Sequence, residues 1–184
     1  PTVSLTEEYN GTSWSESGDL STARVGLAGA GIQTASLAFG GSTSGSSGDR
    51  TTATEGYDGT SWSSRPSLGT ARRLGGGAGL DTAAIYHGGY TTTDISLTEE
   101  FTVSVSATTA AAFASGGNMN TARRALWGCG TQTAGLVFGG YVGPPVEAKT
   151  EEYNGTSWSE QNDLNTAGYH IAGTETQTAG LAFA

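Results

Sequence analysis

Acidic and basic side chains recur at fixed places along this sequence, and their chemistry is the easiest to foresee. A Glu stands at four equivalent positions and an Arg at three, and two of these Arg residues are followed directly by a second Arg. The positions are Glu7, Glu55, Glu99 and Glu151, then Arg24, Arg72 and Arg123, with Arg73 and Arg124 as the following residues. A guanidinium group binds a carboxylate or a phosphate through paired N–H donors. Two interpretations stay open: charge pairs at the seams between repeated units, or an Arg-rich channel mouth that binds an anion or an acidic sugar.

These residues belong to a repeat of 44 to 52 residues, which begins with a Thr-Glu pair at Thr6, Thr54, Thr98 and Thr150. Spacing is constant from the aromatic position to the closing Gly pair, so insertions are confined to the other half of the unit. They lie in the linker that follows each pair and in a longer stretch of the third repeat, Thr102–Ala112. The aromatic position holds Trp14, Trp62, Phe113 and Trp158, and the pairs are Gly40 and Gly41, Gly88 and Gly89, and Gly139 and Gly140. We predict a single domain, 1–184, with repeat units at about 1–41, 42–89, 90–140 and 141–184.

Few other residues have types that could perform catalysis or bind a metal. His87 stands where other repeats have Phe, so we expect a packed ring there. His170 stands where the first repeat has Gly26, and we expect neither histidine to bind a metal or act in catalysis. Cys129 reads as a small buried residue, because nothing near it in sequence would lower its pKa. Gly75–Gly79 lacks the Lys-Ser/Thr pair of a phosphate-binding loop and predicts a tightly packed strand. We expect no catalytic residue, no metal site and no cofactor.

Short alternating or small-residue segments separated by turn residues predict an all-β fold. In the first repeat, Val3–Tyr9 is followed by Asn10-Gly11, a favoured hairpin turn, and Trp14 opens the returning strand. A Gly/Ala-rich strand and its partner complete a unit of four short strands. We expect the repeated Trp residues to pack between units, and Trp127, which lies outside their position, either to plug the central axis or to lie at a surface.

Composition excludes several classes of protein. The net charge is −9, which disfavours a nucleic-acid partner because phosphate contacts need clustered basic residues. One Cys permits no intrachain disulfide, and no apolar run reaches the length of a membrane helix, so we predict no membrane insertion. The first residue is Pro, which indicates a processed chain or part of a longer one.

The unit resembles the kelch repeat. Its pattern is Arg, an apolar strand, Phe-Gly-Gly, a loop, Glu-x-Tyr-Asp, and then Trp, and it appears here from Arg24 through Phe39-Gly40-Gly41 and Glu55-Gly56-Tyr57-Asp58 to Trp62. The resemblance implies a β-propeller of four-stranded antiparallel blades. The chain starts with outer strands and ends with inner ones, so we expect four blades, with residues 1–19 and 164–184 sharing one.

Two segments recur almost unchanged: Thr-Glu-Glu-Tyr-Asn-Gly-Thr-Ser-Trp at 6–14 and 150–158, and Thr-Gln-Thr-Ala-Gly-Leu-Val/Ala-Phe at 131–138 and 176–183. These segments are similar to kelch-like virion structural proteins of bacteriophages, especially those of cyanobacteria. This likeness implies a non-enzymatic structural or binding module, located on a virion or extracellular, that contacts another virion protein or a host surface glycan; a homo-oligomer is possible. The linkers 42–53, 90–96 and 141–149 would share one face with Tyr90, Tyr141 and the repeated Arg residues, and we expect binding there. The alternative is a secreted kelch-type sugar-processing enzyme of the epimerase or oxidase class.

Overall fold

The computed structural model describes residues 2–46, 48–103, 111–144 and 146–183, and within them the chain is all-β, with no helix. Accordingly, none of the described residues forms a helix that could cross a membrane. The all-β prediction is confirmed. The strands are β1 (Glu7–Tyr9), β2 (Trp14–Glu16), β3 (Ala28–Ile32), β4 (Ala35–Phe39), β5 (Thr54–Tyr57), β6 (Trp62–Arg65), β7 (Gly76–Leu80), β8 (Ala83–His87), β9 (Thr98–Thr102), β10 (Ala112–Ser115), β11 (Trp127–Thr131), β12 (Ala134–Phe138), β13 (Thr150–Tyr153), β14 (Trp158–Glu160), β15 (Ala172–Thr176) and β16 (Ala179–Phe183).

The strands form three four-stranded antiparallel sheets and two hairpins. We call the sheets blade 1 (β3–β6), blade 2 (β7–β10) and blade 3 (β11–β14), each ordered as its strands follow one another in sequence. The N-terminal hairpin is β1–β2 and the C-terminal hairpin is β15–β16. A side-chain hydrogen bond acceptor closes the turn between β1 and β2. Asn10 Oδ1 accepts hydrogen bonds from the backbone N–H groups of Thr12 and Ser13, each at 3.0 Å. Gly11 adopts φ 94°, which only Gly tolerates easily.

The inner strands β3, β7, β11 and β15 pack side by side around a cavity of about 310 Å³. Small residues permit this approach, since a Cβ added to Gly77 would lie 2.5 Å from the carbonyl oxygen of Gly29. The Gly-rich segment is therefore a packed inner strand, as predicted. Trp127 lines the same cavity and is 40% exposed, so it is an exception among the tryptophans other than Trp14, as predicted, without plugging the space between the inner strands.

A chain of backbone hydrogen bonds joins the four inner strands just before each begins. Leu74 N–H donates to Gly26 O at 2.8 Å, Ala125 N–H to Leu74 O at 2.7 Å, and His170 N–H to Ala125 O at 2.8 Å. All four residues have positive φ, from 53° at Ala125 to 66° at Gly26. Three are not Gly, so each holds a conformation that disfavours a side chain by about 1–2 kcal/mol. The bonds between blades therefore set the backbone here, against local preference.

The two terminal hairpins do not share a blade. Among the described residues they are separate two-stranded sheets, and β3 and β15 do not pack as neighbouring inner strands do. The predicted pairing of 1–19 with 164–184 is therefore corrected. The N-terminal hairpin packs on blade 1 instead, where Trp62 Nε1–H donates to Thr6 Oγ1 at 2.9 Å and the Tyr57 hydroxyl donates to Glu8. It thus occupies the place of an outer half-blade that precedes blade 1.

The aromatic positions differ in burial according to their neighbours. Trp158 is buried against blade 2, and its Nε1–H donates to Thr98 Oγ1 at 3.0 Å. Trp62 and Phe113 are half-buried, and Phe113 packs edge-on against Phe39 of blade 1. Trp14 is exposed. The prediction of packing between units is confirmed for Trp158 but is wrong for Trp14, because none of the described sheets packs against the side of the N-terminal hairpin that carries Trp14.

His87 is a packed ring, as predicted from its position among Phe residues. It is fully buried, and its ring meets Trp158 edge-on at 5.4 Å between centroids. Neither ring nitrogen has a hydrogen-bond partner among the described residues. Burial, with further contributions from Arg123 and Arg72, lowers the pKa of His87 to about 3. The native protein therefore holds this imidazole neutral.

This lowered pKa predicts acid sensitivity. Below pH 6.5 the unfolded chain binds a proton at His87 that the folded chain does not, so the free energy of unfolding falls by up to about 1.4 kcal/mol per pH unit, or about 2 kcal/mol at pH 5. Urea unfolding of the wild type and of His87→Phe at pH 7.5 and 5.0 measures this term, because other titrating groups act equally on both proteins. His87→Phe should lose less stability between the two pH values. An identical loss would contradict the prediction.

The positive φ at Ala125 predicts an unusual response to glycine. Ala125→Gly should change the free energy of unfolding by less than about 0.5 kcal/mol, since relief of the left-handed conformation offsets the lost methyl group and the added chain entropy. The control is Ala84→Gly in β8, a fully buried alanine in a regular strand, which should destabilise by about 1–2 kcal/mol. Equal losses for the two variants would contradict this account of the inner ring.

Candidate ligand-binding face

Each repeat brings two of its residues together at one rim of the structure. One follows the repeated Arg and the other follows the Gly pair, and a β-bridge joins them: Arg73 to Tyr90 in blade 2, and Arg124 to Tyr141 in blade 3. Both Gly residues of every pair have positive φ, which turns the chain back toward the start of its own blade. The Gly pairs thus have the structural role expected of them, and they place the tyrosines.

The side chains at this rim form one stack. The guanidinium carbon of Arg124 lies 4.8 Å from the ring centroid of Tyr90 and 4.6 Å from that of Tyr141, so it is sandwiched between two blades' tyrosines. The guanidinium carbon of Arg73 lies 5.8 Å from the ring centroid of Tyr90. The ring centroids of Tyr141 and Tyr169 are also 5.8 Å apart. We call these five residues the Arg–Tyr ladder. Cation–π contacts at exposed sites contribute about 0.5–1 kcal/mol each. The three contacts of this kind therefore hold the Arg and Tyr side chains of the ladder in fixed positions.

An open cleft of about 520 Å³ lies beside the middle of the ladder. Arg124 Nη1–H donates to Asp94 Oδ1 at 2.5 Å, and both side chains remain partly exposed. At the outer end, Arg73 Nη1–H donates to Gly45 O at 2.6 Å. The cleft therefore combines aromatic edges, a guanidinium and a carboxylate. Its lining residues are Tyr90, Thr93, Asp94, Ala122, Arg124, Tyr141, Val142 and Gly143.

The other three predicted binding residues, Arg24, Arg72 and Arg123, lie inside the blades and not on this face. All three are buried, and each pairs with the repeated Glu of its own blade: Glu55 at 2.8 Å, Glu99 at 3.3 Å and Glu151 at 2.8 Å respectively. The structure thus favours the paired-charge interpretation for these three residues. The face that could bind an anion retains Arg73 and Arg124.

Each buried pair ties three parts of its blade together. Arg123 Nη1–H donates to Gly139 O at 3.0 Å and to Lys149 O at 2.6 Å, while its Nη2–H donates to Glu151 Oε1 at 2.8 Å. Glu151 Oε2 in turn accepts the N–H of Asn120 at 2.7 Å. Burial lowers the pKa of Arg123, and the charge of Glu151 opposes that shift. We call this arrangement the Arg–Glu clip.

Sequence analysis missed two residues of the face. Tyr169 follows Gly168, which occupies the Arg position of the last repeat, so Tyr169 is the counterpart of Arg73 and Arg124. That alignment could have revealed it. Asp94 lies in the variable linker after the Gly pair, where no repeat pattern exists, so only the structure identifies it as the partner of Arg124.

Residues suited to catalysis are scattered. Cys129 is buried, and burial raises the pKa of its thiol. His170 is exposed beside Tyr169, with ring centroids 5.0 Å apart. Across the part of the chain that the structure describes, no three His, Cys, Asp or Glu side chains gather in a way that could hold a metal ion. The Arg–Tyr ladder is therefore the best-defined candidate site.

Two adjacent arginines should respond very differently to truncation. Arg123→Ala leaves buried Glu151 without its partner and should lower the free energy of unfolding by about 3–5 kcal/mol. Arg124→Ala removes a partly exposed ion pair and two cation–π contacts and should lower it by about 1–2 kcal/mol. Urea unfolding of both variants gives the comparison. Similar losses would show that the clip does not dominate the stability of the blade.

Neither a protein-family model nor a curated protein matches this chain. The candidate site is therefore defined by its own contacts: a guanidinium held between two tyrosines beside an open cleft.

Proposed function

We propose that this chain is a kelch-like β-propeller module that acts without catalysis and binds an acidic glycan through the Arg–Tyr ladder. The module would work on a bacteriophage virion or in another extracellular setting, with the glycan on the host surface. A neighbouring virion protein is the second candidate partner of the same face.

The kelch part of this proposal is supported by features repeated in each complete blade. Each has four antiparallel strands, a closing Gly pair with positive φ, and an Arg that meets the repeated Glu. The blades also pack through their inner strands in chain order. These features agree with the kelch pattern and suit blades of a propeller.

The observation that carries the function is the position of Arg124 between Tyr90 and Tyr141, at the edge of the cleft. A guanidinium whose plane is already held by two rings loses little conformational freedom when a carboxylate binds. The tyrosine edges and hydroxyls can meet the C–H and hydroxyl groups of a sugar. Asp94 can accept hydrogen bonds from sugar hydroxyls.

The ladder also suits an extended ligand. Its members come from blade 2, blade 3 and the start of the C-terminal hairpin, so similar groups recur from one blade to the next. A polymer with one acidic sugar per repeat could contact more than one guanidinium at once. Multiple weak contacts of this kind raise overall affinity without a deep pocket.

The rival function is a secreted sugar-processing enzyme. Epimerase chemistry needs a positioned acid and base on either side of a sugar. In the described part of the cleft, the acidic side chain is Asp94, and it is bound to Arg124. The geometry therefore supports binding better than turnover.

A glycan array that includes uronic-acid and sialic-acid glycans tests the proposal. The variant Tyr90→Ala, Tyr141→Ala, Arg73→Ala removes three ladder members and should lower affinity by tenfold or more, while keeping the inner clips intact. Binding to acidic glycans should also weaken as salt rises, because the contact includes charged groups.

The control is Ile32→Ala, which removes an exposed apolar side chain at the end of β3, outside the ladder. It should bind like the wild type. Equal binding by the triple variant and the wild type would remove the face from consideration. Release of altered sugar by the wild type would favour the enzyme.

A further inference from the structure

The two terminal hairpins carry complementary halves of one blade. Residues 6–16 are identical to residues 150–160, which form β13 and β14 of blade 3. β16 reads Ala-Gly-Leu-Ala-Phe, and β12 of blade 3 reads Ala-Gly-Leu-Val-Phe. In blade 3, β12 pairs with β13, so the structure contains a template for a pair between β16 and β1.

Exposure shows what each hairpin lacks. Trp14 is 66% exposed, whereas Trp158, in the same local sequence, is 6% exposed. Phe183 on β16 is 55% exposed, whereas Phe138, its counterpart on β12, is 2% exposed. Because the local sequences match, the difference comes from missing neighbours. Among residues 2–46, 48–103, 111–144 and 146–183, no outer hairpin pairs with β16 and no inner strand pairs with the N-terminal hairpin.

A cleft marks the free side of β16. It measures about 230 Å³ and runs between Ala182 and Phe183 on the strand and the segment from Leu164 to Gly168. In blade 3 the equivalent space holds Glu151, which accepts the N–H of Asn120. Asn165 is the counterpart of Asn120, three residues before the Arg position, and it is exposed. The cleft thus lies where blade 3 has its outer strand and carboxylate.

We propose that the N-terminal hairpin of a second copy of this chain docks on β16 and completes the last blade. Its β1 would run antiparallel to β16, with Thr6 opposite Phe183 and Tyr9 opposite Gly180. This register copies Thr150 opposite Phe138 and Tyr153 opposite Gly135 in blade 3. Glu7 would then reach the N–H groups beside Asn165, as Glu151 reaches Asn120.

A second copy fits better than the chain's own hairpin. Both halves are present in one chain, yet β1 and β16 stay in separate sheets, and β15 does not pack beside β3 in the described residues. The N-terminal hairpin is also already held against blade 1 through Thr6 and Glu8. These contacts leave the opposite edge of β1, the one that would pair with β16, unpaired.

The contact is head-to-tail, which has a consequence for assembly. Heterologous contacts produce a closed ring when the rotation allows it and an open chain otherwise. Each copy supplies three complete blades and two half-blades, so a ring of two copies would hold eight blades. Eight is at the upper end of the usual range for propellers, about 4–8 blades.

A disulfide between mixed chains tests the register. All chains carry Cys129→Ala, which places at this position the residue that the first two repeats have at Ala30 and Ala78. One chain carries Glu7→Cys and the other Ala182→Cys, at positions directly opposite in the proposed pair. Mild oxidation of the mixture should yield a two-chain product on a non-reducing gel. Leu181→Cys, the control, points to the other face and should yield little product.

The double variant Glu7→Cys, Ala182→Cys in one chain separates the alternatives. Linked dimers or larger species support the proposal, whereas a bridge within one chain would show self-closure and overturn it. Failure of the mixed chains to link would also overturn it.

Unlinked protein gives a second measurement. The mass of the wild type from light scattering should rise with concentration. Leu181→Glu should abolish the rise, because the proposed register copies Leu136 opposite Glu152 and so places residue 181 opposite Glu8, where a second carboxylate is repelled. Leu181 is exposed in the single chain, so this variant should keep the wild-type melting temperature. Gly168→Arg supplies the missing clip partner of Glu7 and should lower the dissociation constant about tenfold. A wild type that stays monomeric at every soluble concentration would overturn the proposal.

Discussion

The buried pair between a repeated Arg and a repeated Glu is the interaction on which the blades depend. Arg123 joins the start of its inner strand to Gly139 at the end of the next strand and to Glu151 on the third. A charge in this position would be unfavourable without its partner, because burial removes its water. The buried Arg and Glu find their hydrogen-bond partners only when three segments distant in sequence come together. The pair therefore stabilises the correctly folded blade and disfavours other arrangements of the chain.

The clip also explains how the candidate site arises. Successive residues of an extended chain point to opposite sides, so once Arg123 faces the blade interior, Arg124 faces the rim. The Gly pair that receives the bond from Arg123 is followed by Tyr141, which a β-bridge holds beside Arg124. The ladder is thus a consequence of the same contacts that stabilise the blade, and its side chains are held in place without a deep pocket.

A second constraint is the close packing of successive inner strands. Inner strands approach so closely that Gly77 lies against the backbone of Gly29, and their leading residues are linked in the left-handed conformation through Leu74, Ala125 and His170. Neighbouring inner strands can therefore pack this closely only where small residues face the adjacent backbone and where the chain adopts this backbone bend. Sequence variation is therefore concentrated in the linkers and at the rim. Asp94 lies in a linker that differs in each repeat, and Tyr169 stands where two other repeats have Arg73 and Arg124.

The sequence by itself determined the all-β class, the order of strands within a unit, the glycine turns and the packing of His87 in a Phe position. These are local or periodic properties: alternation, turn residues and a repeated spacing decide them, and each copy confirms the others. It also brought Tyr90, Tyr141, Arg73 and Arg124 to one face, because repeat spacing assigns each residue to the start or end of a strand.

Only the tertiary structure decided which groups are buried and which remain free. Trp14 and Trp158 lie in identical local sequences, yet one is exposed and the other packed, because burial depends on a neighbouring blade that sequence position alone does not supply. The same reason separates Arg24, Arg72 and Arg123 from the ladder, and leaves β1 and β16 unpaired although their sequences match a paired template. Periodicity specifies the contacts inside a unit, whereas the contacts at the ends of the array depend on which surfaces meet in space.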